Sequence, residues 1–477
     1  MLFNSFEFLL FFPVVTALYF LLPQAWRWSL LLAASCVFYM AFIPKYILIL
    51  ALTIVVDYTA ALFIERTPAG TLKRFYLVVS LVVTVAILAF FKYFNFLNDN
   101  VAHLARLIHW NYGVTSLKII LPIGLSFHTF QSMSYVIEVY RGNQKAERNF
   151  GIYALYVMFY PQLVAGPIER PQNLLHQFRE PHVFDYDRVT GGLKRMAFGL
   201  FKKVVIADAL AEVVDQVYNN LHAYTGGPLL FATICFAWQI YCDFSGYSDI
   251  ALGSAQVMGF RLMENFDRPY SARSIAEFWR RWHMSLISWF RDYVYIPLGG
   301  NRVGPARRSL NLLLTFLISG LWHGANWTFI AWGALNGMYL VLSSWTSDVR
   351  AAIVRASGLA DHPRIHHALQ VAATFLLIAF AWIFFRANTM ADALYVVSHL
   401  FDDLLGAARR GRLVFNGFLV VFILFMEYVH AIHRRGGMSN LFAGRPLLVR
   451  WSLYYALVML TVLFGNYSQQ RFIYFQF

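Results

Sequence analysis

The sequence predicts an all-α polytopic membrane protein of about eleven transmembrane helices, with re-entrant or interfacial helices among them. The first observation is composition. Of 477 residues, 59% are apolar and 13% charged, against roughly 25% charged in a soluble domain. The second is the aromatic share of 18%, with 45 Phe and 27 Tyr, which suits a chain surrounded by lipid. The third is that long apolar runs recur from end to end. Together these exclude an ordinary cytosolic enzyme. They exclude disorder too, whose signature is low hydrophobicity. The net charge of +14 has the sign of a nucleic-acid binder, but in so apolar a chain it marks cytoplasmic loops and a lipid headgroup surface. The expected partner is therefore the bilayer, not nucleic acid.

A bilayer core takes about 20 apolar residues per helix. In order, the candidate runs are residues 8–22, 26–42, 46–64, 75–91, 117–137, 150–168, 229–250, 310–322, 327–342, 369–385, 413–429 and 451–464. Several are too short to span alone, and such pieces persist at membrane depth only when buried in protein or lining a water cavity. No basic segment precedes the first run and another follows at once, so it reads as a retained helix and not a cleaved signal. The mixed-charge stretch 169–208 is placed on the cytoplasmic side, and 347–367 reads as a polar loop. With no internal repeat, a single membrane domain over 1–477 is the simplest organisation.

Residues 261–308 break the apolar pattern. They hold nine arginines (261, 268, 273, 280, 281, 291, 302, 307 and 308) and four acids (Glu264, Asp267, Glu277 and Asp292), a net of +5. The positive-inside rule places this region on the cytoplasmic face. Ile275, Phe278, Trp279, Trp282, Leu286 and Trp289 recur at helical spacing, which predicts one amphipathic helix at or under that surface.

Ionisable groups inside apolar runs are costly and are functional candidates by default. His323 leads, flanked by apolar residues and by Gly320 and Gly324, which allow close approach of backbone or ligand. A neutral histidine there can act as a base near pH 7; a hydrogen bond to a neighbouring helix is the structural alternative. His283, between Arg281 and Ser285, is second, with an interfacial histidine as its alternative. Asp243 and Asp249 form a polar island in which Ser245 and Gly246 suggest a helix interruption, and ion pairing with arginines is the favoured role. Asp57, Glu138 and His128 read as structural. His362, His366 and His367 read as solvated loop, and no metal site is expected. Cys36, Cys235 and Cys242 read as buried small hydrophobes. There is no phosphate-cradling glycine loop, no nucleophile elbow and no HExxH pair, which argues against nucleotide, serine-hydrolase and zinc-peptidase chemistry. Residues 472–477 place four aromatics after the last run, which suggests a docked segment; an interfacial aromatic anchor is the alternative.

These residues resemble the membrane-bound O-acyltransferase family, in its bacterial branch of alginate O-acetylation and D-alanyl transfer proteins. The motifs run in order from about residue 120 to 330: Leu121-Pro122-Ile123-Gly124-Leu125-Ser126-Phe127, Ser134-Tyr135, Tyr140-Arg141-Gly142, Ala165-Gly166-Pro167-Ile168, Asp243-Phe244-Ser245-Gly246-Tyr247-Ser248-Asp249, Glu277-Phe278-Trp279-Arg280-Arg281-Trp282-His283, Arg291-Asp292-Tyr293, Leu298-Gly299-Gly300-Asn301-Arg302 and Trp322-His323-Gly324. The resemblance implies a ring of tilted helices around a central tunnel, with His323 catalytic and His283 a second active-site residue near the cytoplasmic entrance. It implies acetyl-CoA as donor substrate, no tightly bound cofactor, and Arg280, Arg281, Trp282, Arg291, Asp292, Asn301, Asn326, Asp243 and Ser245 along the donor site or tunnel. It further implies a multi-pass protein of the bacterial inner membrane that serves an exported polysaccharide such as alginate, together with a periplasmic acetyltransferase partner. Cellulose, peptidoglycan and D-alanyl transfer are the alternative substrates. Alginate-type relatives often carry histidine where this chain has Asn336, so that position is not the base here. The ending Phe472-Ile473-Tyr474-Phe475-Gln476-Phe477 resembles a tyrosine acyl carrier, which makes Tyr474 a candidate acyl acceptor. Two other classes compete. A lipid or polysaccharide transporter would show repeated, broken helices, and a scaffold subunit of a polymer synthase would respond to His323→Ala in assembly and not in acyl flux.

Overall fold

The computed structural model describes residues 1–164, 166–402, 417–433, 446–467 and 472–473, so Tyr474 and Ala165 lie outside the described residues. Among these the chain is helical, and the one β-bridge joins Phe266 to Trp282. Each of the twelve apolar runs contains helix among its described residues, although 117–137 becomes helical only at Leu125 and 150–168 is divided between Phe150–Met158 and Tyr160–Leu163. Among the described residues five helices are long and apolar enough to cross a membrane: Pro44–Arg66, Thr71–Leu107, Gly227–Met258, Pro363–Arg386 and Leu447–Phe464. Others, such as Phe6–Leu21, are shorter. Leu9, Leu10, Val14 and Leu21 project outward from that helix, as side chains in lipid do.

Residues 1–197 with 247–263 form one compact unit. Its interior is organised by a carboxylate. Asp57 on Ile47–Arg66 is fully buried. It accepts from Ser80 at 2.5 Å and Thr84 at 3.1 Å on Thr71–Leu107, and from Ser132 at 2.5 Å on Leu125–Arg141. A buried carboxylate is tolerated only with such donors, so the three hydroxyls fix three helices around one point. Glu138 is satisfied by Arg141, Asn143 and Gln172, and Asp249 by Arg195 at 2.9 Å. His128 is fully buried. The contacts of Asp57, Glu138 and Asp249 suit the structural roles the sequence suggests.

Residues 198–246 with 264–477 form the second unit. Here three expectations are corrected. The Asp243–Asp249 island does not interrupt its helix: Gly227–Met258 is continuous over 32 residues. Gly246 serves close packing instead, since a Cβ there would lie 2.7 Å from the Gly199 carbonyl oxygen. The 347–367 stretch is no loop. It forms the helix Ser347–Ala356 and the start of Pro363–Arg386, which carries His366 and His367. At the end of the mixed-charge stretch 169–208, Lys202, Lys203 and Asp208 are all buried. Lys203 makes this possible by pairing with two carboxylates, Asp208 at 2.7 Å and Asp243 at 2.9 Å. Finally, the helix predicted across residues 275–289 is two helices, Ile275–Arg281 and Met284–Phe290. All six of its apolar residues are buried in protein, so their spacing reports core packing. Of the cysteines, Cys235 and Cys242 are buried as expected and Cys36 only half-buried.

Candidate active site

The break between those two helices is at His283. Ser274 caps the first helix, its Oγ accepting from the Glu277 N–H at 3.2 Å. Glu277 in turn accepts from the Arg273 N–H at 2.8 Å and pairs with Arg281 at 2.6 Å. Burial raises the Glu277 pKa, but the Arg273 N–H and the arginines outweigh it and hold the carboxyl below its usual range. Trp282 is extended, and His283 adopts φ 44° and ψ 53°. A left-handed histidine costs about 1–3 kcal/mol and persists where its surroundings over-determine it. Those surroundings are visible. The Asp267 N–H donates to the Arg281 carbonyl and the Met284 N–H to the Asn265 carbonyl, each at 3.0 Å, while Ser285 Oγ donates to Asn265 Oδ1 at 2.7 Å. Asn265 is 18 positions away and thus escapes any reading by local spacing.

His323 is held differently. It ends the helix Pro305–His323, which folds back through Gly324 into Trp327–Trp345. Asn326 caps the second helix by accepting from the Thr328 N–H at 3.1 Å, and it donates to the Asn388 carbonyl at 2.9 Å. The two helices touch at glycine. A Cβ on Gly320 would lie 2.3 Å from the Phe329 oxygen, and one on Gly333 2.3 Å from the Phe316 oxygen. Small residues permit such crossings in membrane bundles. The imidazole, 5% exposed, is packed among Trp322 at 4.9 Å, Trp332 at 5.0 Å and Phe385 at 5.4 Å between ring centres.

Trp322 also reaches the His283 ring at 6.4 Å, so the two histidines flank one indole. On its other side His283 meets Phe244 edge-on at 4.6 Å, and Phe244 meets Phe472 at 5.7 Å. Phe472 and Ile473 are both buried, and the Ile473 N–H donates to Asp243 Oδ2 at 2.7 Å. The aromatic 472–473 segment is therefore docked. Ser245, one turn below Tyr241, accepts from Lys202 at 2.9 Å.

A polar track leads along the helix to His323. Asn311, Thr315, Ser319 and His323 recur every four residues, which aligns them on one face, and all are buried. Asn311 Oδ1, Ser319 Oγ and, from the neighbouring helix, Asn336 Oδ1 have no hydrogen-bond partner among the described residues. Buried polar atoms of this kind are met by water or ligand. Asn336 donates to the Trp332 carbonyl at 2.8 Å.

The remaining predicted residues lie outside this cluster. Arg280 and Arg291 are exposed, Arg291 pairing with Asp292 at 2.8 Å. Asn301 is exposed and accepts from Tyr295, and Asn326 is the cap described above. Trp282 is buried against Phe266, Phe278 and Trp382. Lys203 and Asn265 are positioning groups that the sequence reading did not single out. Lys203 belongs to the mixed-charge stretch 169–208, which read only as a cytoplasmic-side segment. No group of three or more His, Cys, Asp or Glu among the described residues is placed to hold a metal ion.

Comparison with known proteins shows the family. Residues 148–387 match the membrane-bound O-acyltransferase family, a span that includes Asp243, His283 and His323. The chain is 41% identical to the probable alginate O-acetylase AlgI of Pseudomonas aeruginosa, over 84% of this chain and 75% of the relative. It is 36% identical to the peptidoglycan O-acetyltransferase of Helicobacter pylori, over 79% and 73%. It is 30% identical to the teichoic acid D-alanyltransferase of Streptococcus thermophilus, over 46% and 56%. A multi-pass membrane chain with a family match across its central half and this identity over most of its length belongs to the membrane-bound O-acyltransferase family, and it is an O-acyltransferase.

Proposed function

We propose that this enzyme takes an acetyl group from acetyl-CoA on the cytoplasmic side of the inner membrane and passes it outward for O-acetylation of an exported polysaccharide such as alginate. The observation that carries the choice of acyl group and acceptor class is the 41% identity to an alginate O-acetylase over most of both chains. Peptidoglycan is the second reading, favoured by the Helicobacter pylori relative.

In the proposed reaction His323 is the general base. A phenol of pKa about 10 needs such a base at pH 7. His323 takes the Tyr474 phenolic proton as that oxygen attacks the thioester carbonyl. The tetrahedral intermediate then expels CoA thiolate, which takes the proton from the imidazolium. The products are free CoA and an acetyl-tyrosine ester. A hydroxyl of the polymer, or of a periplasmic acetyltransferase partner, then attacks this ester and releases the phenol. The supporting geometry is the line of contacts from His323 through Trp322, His283 and Phe244 to Phe472. Arg280 and Arg291, both exposed, suit the phosphates of CoA, since guanidinium binds phosphate in a bidentate fork.

Acetyl-CoA turnover by the purified enzyme tests this, with His323→Ala expected to abolish it. Full turnover in that variant overturns the role of the histidine. In cells, a Tyr474→Phe variant is expected to lose polymer acetylation; full acetylation removes Tyr474 from the pathway.

A further inference from the structure

Asp243 sits in a buried group of charged side chains. Lys203 Nζ lies 2.7 Å from Asp208 and 2.9 Å from Asp243, and all three side chains are nearly inaccessible. One ammonium therefore serves two carboxylates. Desolvated negative charge of this kind demands further donors, and the donor present is the Ile473 backbone N–H, 2.7 Å from Asp243 Oδ2. A second tie lies close by in the chain. The Asn466 N–H donates to the Val204 carbonyl at 2.8 Å, and its side-chain amide to Glu212 at 3.0 Å. Phe472 closes the arrangement by packing on Phe244, one residue past Asp243.

From this we infer that Asp243, held in place by Lys203, is a seat for the backbone of the 472–473 segment, and so a positioning residue for Tyr474. The seat reads a main-chain N–H and one aromatic ring, with no other feature of the segment required at those contacts. It explains why a carboxylate is kept in the middle of an apolar helix. Its function as a positioning device rests on the Tyr474 reading above; its existence as a docking site does not.

Hydrogen–deuterium exchange on the full-length enzyme tests both parts. In Asp243→Ala, amide exchange in the 472–477 peptide is expected to rise on the order of ten- to a hundredfold, the range for losing a hydrogen bond to a charged group. Exchange across residues 305–345 is expected to stay as in the parent. Asp243→Asn keeps an acceptor oxygen and is expected to keep most of the protection. Ile473→Pro removes the donor while leaving the Lys203 pairing intact, and is expected to behave as Asp243→Ala, so the claim remains testable if the alanine variant fails to fold. Unchanged exchange of the 472–477 peptide in Ile473→Pro overturns the seat, as does an equal rise throughout the chain in either variant. If the local exchange behaves as expected but Tyr474→Phe retains full acetylation, the docking stands and the acyl-carrier reading falls.

Discussion

Gly333→Ala asks whether the crossing of the two helices around His323 sets the geometry of the site. The added Cβ would lie 2.3 Å from the Phe316 carbonyl oxygen, 3.1 Å from its carbon and 3.2 Å from the Gly320 Cα. Every one of these is backbone, which cannot swing aside. Carbon contacts settle at about 3.5–4.0 Å, so the helices must part by roughly 1 Å. Overpacking of this kind costs about 1–3 kcal/mol, a fall of roughly 1–3 °C in melting temperature for a protein of this size. The same displacement moves His323, which stands at the end of the crossing helix. A misplacement of about 1 Å can cost on the order of a hundredfold in rate. The assays are thermal unfolding in detergent and acetyl-CoA turnover. Gly304→Ala is the control: it sits at the start of the same helix with nothing within 4 Å of the new Cβ. A Gly333→Ala enzyme as stable and active as Gly304→Ala would refute the reasoning.

Further expectations concern the two histidines and their supports. His323→Gln, which keeps the volume, should lower acyl transfer about 10²- to 10⁴-fold with little change in melting temperature. Asn265→Ala strands the Ser285 hydroxyl in the interior, so unfolding experiments should show a loss of about 1–3 kcal/mol, and turnover should fall with it as His283 loses its backbone frame. Glu277 has a folded-state pKa below its unfolded value. Its stabilising contribution is therefore present above the ordinary carboxylate pKa and is lost as pH falls through the lower, folded value. Melting curves from neutral to acid pH should show a shallower acid decline in Glu277→Gln than in the parent.

Much of this was legible in the sequence, for identifiable reasons. The twelve apolar runs marked helices because lipid selects composition directly. His323 stood out because a titratable group in an apolar run has few structural excuses. The structure added what depends on contacts remote in sequence. Nothing local reveals that Asn265 frames His283, or that Lys203 meets Asp243 across 40 positions. The 275–289 periodicity misled for a related reason. Buried helices separated by a two-residue break keep the spacing of a single amphipathic one, and only the left-handed backbone of His283 shows the interruption. Gly246 misled because small polar residues mark both helix breaks and helix crossings, and here the Gly199 carbonyl at its face decides for the crossing.

The central claim is that His323 drives acetyl transfer from CoA to Tyr474. The most direct measurement is mass spectrometry of the 472–477 peptide after the purified enzyme is incubated with isotopically labelled acetyl-CoA without an acceptor. The account predicts labelled acetyl on Tyr474 in the parent enzyme and none in His323→Ala. Tyr474 free of label while the parent enzyme consumes acetyl-CoA, or label on Tyr474 in His323→Ala, would contradict it.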